Sequence, residues 1–252
     1  MLFPGSLKAG ERVKKISVVI CCYNGERLLG KALDSVMGQT LPAELWEAVF
    51  VNDGSTDSSA EIARRYRSYG NFVYYENPVN MGLPESCNRG ISLSRGEYIV
   101  RVDSDDAVSP DLLSELYAVT EKDRPDLVYT DRIEIDTADG SRKRVSFDDF
   151  DLFGLIACGT LMRKDLVAKI GGYREMGWEE YDLYLRYLKE SGGNIVYVPE
   201  PLYEYYFHGG NMTRKEDWKK KAWQELIEEW GGALLREFGK VPEEYTEAKR
   251  SN

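Results

Sequence analysis

The sequence predicts an α/β domain: a mainly parallel central sheet flanked by helices, followed by a C-terminal helical extension. Three observations predict it. Short β-rich apolar runs alternate with amphipathic stretches at helical spacing through the first half of the chain. Those runs are apolar on both faces, as strands covered on both sides must be. The 252 residues, 42% of them hydrophobic, suffice for one sizeable core without staples. Alternation of this kind implies right-handed strand–helix–strand crossovers.

Ile16–Cys21 reads as a buried central strand, ended by Asn24 and Gly25. Glu26–Met37 follows as a helix, with Leu28, Leu29, Ala32, Leu33 and Val36 at helical spacing. Ala48–Val51 is the second strand and Asp57–Tyr69 the second helix, with Thr56 in the N-cap position. Phe72–Tyr75 is a strand, and Pro84–Ser94 a helix that tolerates Pro84 in its first turn. Tyr98–Val102 (strand), Pro110–Val119 (helix) and Leu127–Thr130 (strand) complete the regular half. After Asp131 the rhythm changes. Ile133–Asp136 and Arg142–Phe147 flank the turn signal Thr137-Ala138-Asp139-Gly140, a predicted hairpin. Gly159–Met162 (short strand), Lys164–Ile170 (helix), a break at Gly171-Gly172, a helix near Glu180–Lys189 and the strand Ile195–Val198 come next. From Lys215 the tail is helical, with Trp223, Leu226, Ile227, Trp230, Leu234 and Phe238 along one stripe.

Composition excludes several classes. A formal net charge of −10 repels phosphate backbones, so no nucleic-acid partner is expected. Cys21, Cys22, Cys87 and Cys158 fit no zinc spacing and no disulfide framework, which points to reduced thiols in a cytoplasmic setting. Residues 1–15 lack the apolar segment of a signal peptide. No apolar run approaches the roughly 20 residues of a membrane span. The expectation is a soluble cytoplasmic protein whose membrane contact, if any, is peripheral at the inner face.

Chemistry concentrates at the predicted strand ends. Val102-Asp103-Ser104-Asp105-Asp106 follows the fourth strand, on the edge of an open α/β sheet where ligands collect. Three carboxylates there repel one another unless a cation sits among them, and oxygen ligands suit Mg2+ or Mn2+ bridging to a diphosphate. The bland alternative is a solvated acidic turn before the helix at Pro110. Tyr23-Asn24 and Asn52-Asp53-Gly54-Ser55-Thr56-Asp57 end the first two strands on that same edge. A ring to stack and Asp53 to accept from a base N–H make a sensible nucleobase pocket. Ser55 and Asp57 read more simply as a turn residue and a helix-terminal charge.

Taken together, ISVVICCYNGERLLGKALDSVMGQT, VNDGSTDSS and NMGLPESCNRGISLSRGEYIVRVDSDD resemble the family-2 glycosyltransferases of the GT-A fold. CGTLMRKDLVAKIGGYRE resembles that family's acceptor-side segment, WEEYDLYLR its E-D-x-D-L-x-x-R helix start, and YEYYFHGGNMTR its late Y-R-x-H loop. The resemblance runs from Ile16 to about Arg214, in order. It implies one GT-A domain over residues 1–214, with a nucleotide-binding half at about 16–131 and an acceptor-binding half at 132–214. Residues 215–252 then form a helical tail packed on the domain. Cys22, Tyr23, Asn24 and Asp53 would surround the base, and Asp103 and Ser104 the ribose and metal. Asp105 would be the chief ligand of a D-x-D signature, with Asp106 and His208 as further candidates. The family's general base falls at Glu180, with Glu179 and Asp182 as alternatives because Glu stands where relatives carry Asp. Cys87 stands where relatives often carry arginine near the diphosphate, so Arg89 or Arg101 is expected to substitute. Gly159, Thr160 and Trp178 fall on the acceptor side, where Trp178 offers a ring to stack on a sugar. His208, the single histidine, and Trp178 also have ordinary structural readings, as a loop imidazole and a core aromatic.

The implied reaction moves a hexose-type sugar from a nucleoside-diphosphate sugar, a UDP-sugar first, to a hydroxyl of a glycan or lipid-linked acceptor. One base and no required nucleophile suit inversion by direct displacement. A sugar-nucleotide-forming nucleotidyltransferase would need a glycine-rich basic loop after the first strand, which Cys22-Tyr23-Asn24-Gly25-Glu26-Arg27 is not. The alternative of another class is a non-catalytic nucleotide- or glycan-binding module. The tail stripe has three readings: core cover, an interfacial helix with Lys219-Lys220-Lys221 near headgroups, or a homodimer contact.

Overall fold

The computed structural model describes residues 14–155, 159–211 and 214–242. Strand β1 (Ile16–Cys22) and β2 (Trp46–Asn52) are buried at every position, as two-sided apolar runs require. They pair in parallel with each other, and β3 (Phe72–Glu76) and β4 (Tyr98–Arg101) extend the parallel set on either side. Helices α1 (Leu29–Met37), α2 (Ser59–Arg64) and α3 (Leu83–Leu93) make the crossovers. α1 buries Leu29, Ala32, Leu33 and Val36, its predicted apolar stripe. Two local expectations differ. The second helix turns 3-10 over Arg65–Ser68, and its N-cap is Ser58, while Thr56 bonds to Asn24 instead.

The second half mixes directions. α4 (Leu112–Asp123) leads into β6 (Leu127–Asp136); with β5 at Ala107–Val108, β8 at Leu161–Arg163 and β9 at Ile195–Phe207, the full order is β3-β2-β1-β4-β8-β6-β9-β5. β7 (Arg142–Val145) closes the predicted hairpin with β6, and β8 (Leu161–Arg163) inserts antiparallel between β4 and β6. The largest departure is β9, which runs from Ile195 to Phe207 rather than stopping at Val198. Pro199 and Pro201 read as breakers, but the ladder with β6 shifts register there, from Thr130↔Val198 to Asp131↔Pro201. A bulge is where a strand tolerates proline. β6 accordingly runs unbroken, and a short β5 (Ala107–Val108) pairs with β9.

Two large apolar clusters and a small third one, Ala107 with Ile135 and Tyr206, fill the molecule. One gathers β1, α1, β2 and α4; the other joins Val19, Val51 and Ile99 to α6 (Glu179–Glu190) and the tail. Helix α5 (Lys164–Lys169) precedes α6. The tail forms α7 (Glu216–Trp230) and α8 (Gly232–Phe238), and Trp223, Leu226 and Leu235 are buried in the second cluster. Most of the predicted stripe is thus spent on the chain's own core, with Leu235 buried where the spacing predicts Leu234 and Ile227, Trp230 and Phe238 packed against it. Among the described residues no helix is long and apolar enough to cross a membrane. Cys21, Cys22 and Cys87 are buried free thiols; Cys158 lies outside the described residues.

Candidate active site

Strand order 3-2-1-4 reverses between β1 and β4, and a crevice opens at their carboxyl ends. A cleft of about 520 Å³ lies there, lined on one side by Cys21, Cys22, Tyr23, Asp53 and Ser104. Tyr23 is 50% exposed, an aromatic left uncovered at a cleft edge. Asn24 adopts φ 52°, and its side-chain oxygen accepts from Thr56 N at 2.8 Å, so it braces the β2 loop and is absent from the lining. Asp53 is 3% exposed and accepts from Asn77 Nδ2, Met81 N and Gly82 N at 2.8–3.0 Å. It pins segment 77–82 against the β2 turn. Gly54, at φ 67°, permits this: a Cβ there would meet the Val79 backbone at 2.4 Å.

The acidic loop leaves β4 directly into the cleft. Asp103 and Asp105 line it, while Asp106 is 1% exposed behind them. Tyr203 Oη donates to Asp106 Oδ2 at 2.8 Å and accepts from Asp103 N at 3.2 Å, and Tyr206 N donates to Asp106 Oδ1 at 2.8 Å. The continued β9 therefore fixes the loop from beneath. His208 Nε2 lies 2.9 Å from Asp105 Oδ2, and Gly210 N donates to Nδ1 at 3.1 Å, so the proton sits on Nε2 and points at the carboxylate. Each of the three aspartates offers an oxygen within 4.8 Å of the others. Burial, then the Asp103 charge, push Asp105 above the usual carboxylate range; burial and both neighbours push Asp106 well above it. A hard divalent cation removes that repulsion, so this oxygen set fits Mg2+ or Mn2+.

Across the cleft stands the start of α6. Arg101, 8% exposed, donates through Nε to Asp103 Oδ1 at 2.7 Å and through Nη1 to Glu179 Oε1 at 3.2 Å. Glu179 is thereby held as a buried ion-pair partner. Glu180 lines the cleft, and no hydrogen bond reaches its carboxylate among the described residues. Burial first, and the Glu179 charge second, raise its pKa to about 8 against the opposing pull of Arg101. Asp182, fully buried, faces away. Arg174 and Arg186 pair with it and Trp230 Nε1 donates to it, and those partners overcome burial to hold it below the usual range. It is absent from the cleft lining.

Other predicted residues are not brought together with these. Arg89 lies over the Tyr75 ring and off the lining, whereas Arg101 is on it. Gly159 and Thr160 are absent from the cleft lining and border a separate small cavity beside Tyr203; Gly159, at φ 75°, leaves room for Tyr203, whose ring a Cβ would meet at 2.9 Å. Cys87 is buried with its sulfur 3.8 Å from Cys21. That hydrogen bond and burial push the Cys21 thiol up, and burial does the same to Cys22, so neither is a ready nucleophile. Trp178 does line the cleft but is 7% exposed, packed 4.8 Å from Trp218. Sequence reading missed Arg132, Glu134, Tyr205, Phe207 and Trp218, all on the lining. The aromatic, β-prone run Tyr203-Glu204-Tyr205-Tyr206-Phe207 was the available signal for β9, masked by the two prolines.

A model of "Glycosyl transferase family 2" matches residues 17–184 of this chain. The chain is 42% identical over 115 residues to a poly(ribitol-phosphate) beta-glucosyltransferase of Bacillus spizizenii, covering 45% of this chain and 18% of that one. It is 30% identical over 203 residues to the putative glycosyltransferase EpsE of Bacillus subtilis, covering 75% of this chain and 72% of EpsE. The chain spans only 18% and 33% of the length of two curated relatives, the second being the glycosyltransferase GlyA of Streptococcus pneumoniae. In fold it is similar to S. aureus TarS 1-349 in complex with UDP-GlcNAc (TM-score 0.73, 19% identity, 92% of this chain and 69% of that one). It is also similar to the Pyrobaculum calidifontis mannosyltransferase PcManGT in complex with GDP-Man and Mn2+ (TM-score 0.64, 16% identity, 90% and 66%).

Proposed function

The chain belongs to glycosyl transferase family 2, a glycosyltransferase of GT-A fold, and from that premise we propose that it takes a hexose-type sugar from a UDP-sugar and places it on a hydroxyl of a glycan or lipid-linked acceptor, with inversion. One observation carries the reading: the unbonded Glu180 carboxylate opens onto the same cleft as Asp103 and Asp105.

Tyr23 stacks on the base and Cys22 backs it, while Asp53, with lone pairs left after its three donors, accepts from a base N–H. The solved UDP-GlcNAc complex of the similar TarS supports uridine for that pocket. Asp103 and Asp105, with Asp106 behind them, would hold Mn2+ or Mg2+, which would supply charge neutralisation at the leaving diphosphate, while His208, the other candidate ligand, orients Asp105 through its Nε2–H. Ser104 and Arg101 flank the diphosphate path, the arginine adding a fixed positive charge. Glu180 takes the proton of the attacking acceptor hydroxyl and ends as a carboxylic acid, the form its burial favours. Glu179 keeps its pairing with Arg101 and Asp182 its pairing with two arginines, so neither is assigned proton transfer. In the Glu180→Gln variant, transfer from UDP-sugars should fall by roughly 10²–10⁴-fold while UDP binding with Mn2+ is kept. Near-normal transfer by that variant would move the base elsewhere.

A further inference from the structure

The tail helix α7 is more than a cover for the core, because Trp218 on its first turns reaches the cleft beside Trp178, Glu180 and Tyr181. Trp218 lies outside the residues matched by the family model, as do Tyr205 and Phe207 of β9, which line the same cleft. The acceptor side of the site is therefore walled by aromatic rings, one of which, Trp218, comes from a helix beyond both the matched span and the shared motifs. Trp178 and Trp218 meet edge to face at 4.8 Å, and Tyr205 and Phe207 do so at 4.7 Å. Trp178 adds a second observation. Its Nε1–H is buried without an acceptor, the one such group among the described residues that belongs to a cleft-lining side chain. A buried donor without a partner costs about 1–3 kcal/mol, which a ligand oxygen at that N–H recovers.

Charge narrows the ligand further. Asp103, Asp105, Glu134, Glu179 and Glu180 are all on the lining. The cations there are already engaged: Arg101 with Asp103 and Glu179, and Arg132 with Glu134 at 2.6 Å and with Gly154 O at 2.8 Å. An anionic acceptor would meet this field with no unpaired cation beside Glu180 among the described residues, whereas a neutral sugar offers apolar C–H faces to the rings and hydroxyls to the carboxylates.

We propose that Trp178 and Trp218 form the acceptor subsite of this glycosyltransferase and that it takes a neutral pyranoside ring, one hydroxyl oxygen accepting from Trp178 Nε1–H and a neighbouring hydroxyl facing Glu180. This rests on the assignment of the cleft as a donor and acceptor site. The test uses the full chain with 15N-labelled tryptophan, loaded with UDP and Mn2+, titrated with methyl β-D-glucopyranoside and, in parallel, with D-glucose 6-phosphate, the same ring bearing a phosphate. The expected result is saturable movement of the Trp178 and Trp218 indole N–H signals by the glucoside, at least tenfold weaker with the phosphate. Trp218→Ala should weaken glucoside binding by tenfold or more and Trp218→Phe by less, with UDP affinity as the control for folding. Tighter binding of the phosphate, no indole movement with either sugar, or unchanged glucoside affinity in Trp218→Ala would overturn the subsite. Failure of UDP with Mn2+ to bind the unaltered chain would instead overturn the donor-site reading beneath it.

Discussion

At the scale of single residues the site is organised by how each carboxylate is partnered. Asp182 has two arginines and a tryptophan N–H, Glu179 has Arg101, and Asp106 has a tyrosine hydroxyl and a backbone N–H. Glu180 has none among the described residues, and its pKa of about 8 sets a pH dependence with a definite sign. A base works ionised, so kcat/KM should climb as pH rises from 6 towards 9, with a midpoint near 8. A profile flat across that range would remove Glu180 from the role. The same shift acts on stability. Between about 4.5, the unfolded value, and about 8 the folded chain binds a proton that the unfolded chain has released, so stability falls with pH across that window. Glutamine carries no such penalty. Glu180→Gln should therefore gain about 1–2 kcal/mol above pH 8, discounted for the solvent reaching the cleft, and nothing below pH 4.5. Thermal unfolding of the two proteins at pH 4 and pH 8.5 checks it.

At the scale of elements, β9 decides the acidic loop. Tyr203 is the joint: its hydroxyl bonds both Asp106 and the Asp103 backbone. Tyr203→Phe leaves a buried carboxylate short of a donor and should cost about 1–3 kcal/mol. It should also weaken Mn2+ binding, seen by calorimetry, because the loop loses its anchor; unchanged metal affinity would show that the backbone N–H of Tyr206 suffices. These contacts explain what the sequence could and could not convey. The parallel half was legible because Ile16–Cys21 and Ala48–Val51 are buried on both faces and bounded by turn residues. The acidic loop, Tyr23 and Glu180 were legible because they sit at strand ends or a helix start inside a recognisable spacing. The course of β9 was not, since proline normally ends a strand and only its register against β6 shows it housed in a bulge. Trp218 was not either. Its helix reads as a stripe of apolar residues, and nothing local says that one ring off that stripe turns to a cleft formed by residues as far back as Cys21. The Asp182–Arg186 pair is an i,i+4 spacing that the sequence offers, but the approach of Arg174 and Trp230, which completes the separation of Asp182 from Glu180, is not local to that helix.

At the scale of the whole molecule, the cleft lies on the seam between a regular parallel half and a mixed second half, and both halves contribute to one continuous sheet. The second apolar cluster crosses that seam, joining Val19, Val51 and Ile99 to Tyr184, Leu226 and Leu235. The halves should then unfold together, in one calorimetric transition rather than two. Ligands spanning the seam should shift that single transition. The free site carries carboxylates held close against their repulsion in a chain of net charge −10, so on the proposed reading a divalent cation with UDP should bind the folded form alone. At 100 times the dissociation constant this adds about 2.7 kcal/mol, a rise of roughly 5–10 °C for a chain of this size. Two controls separate site binding from general screening by salt. Asp105→Ala should lose the Mn2+ and UDP shift while unfolding at or above the temperature of the unaltered chain without ligand, because one repelling charge is gone. The same ionic strength supplied as NaCl should produce little of the shift, since screening acts weakly on charges this close and partly buried. A ligand-induced rise retained in Asp105→Ala would place the cation elsewhere, and a second transition appearing with ligand would mean that the donor ties only the parallel half.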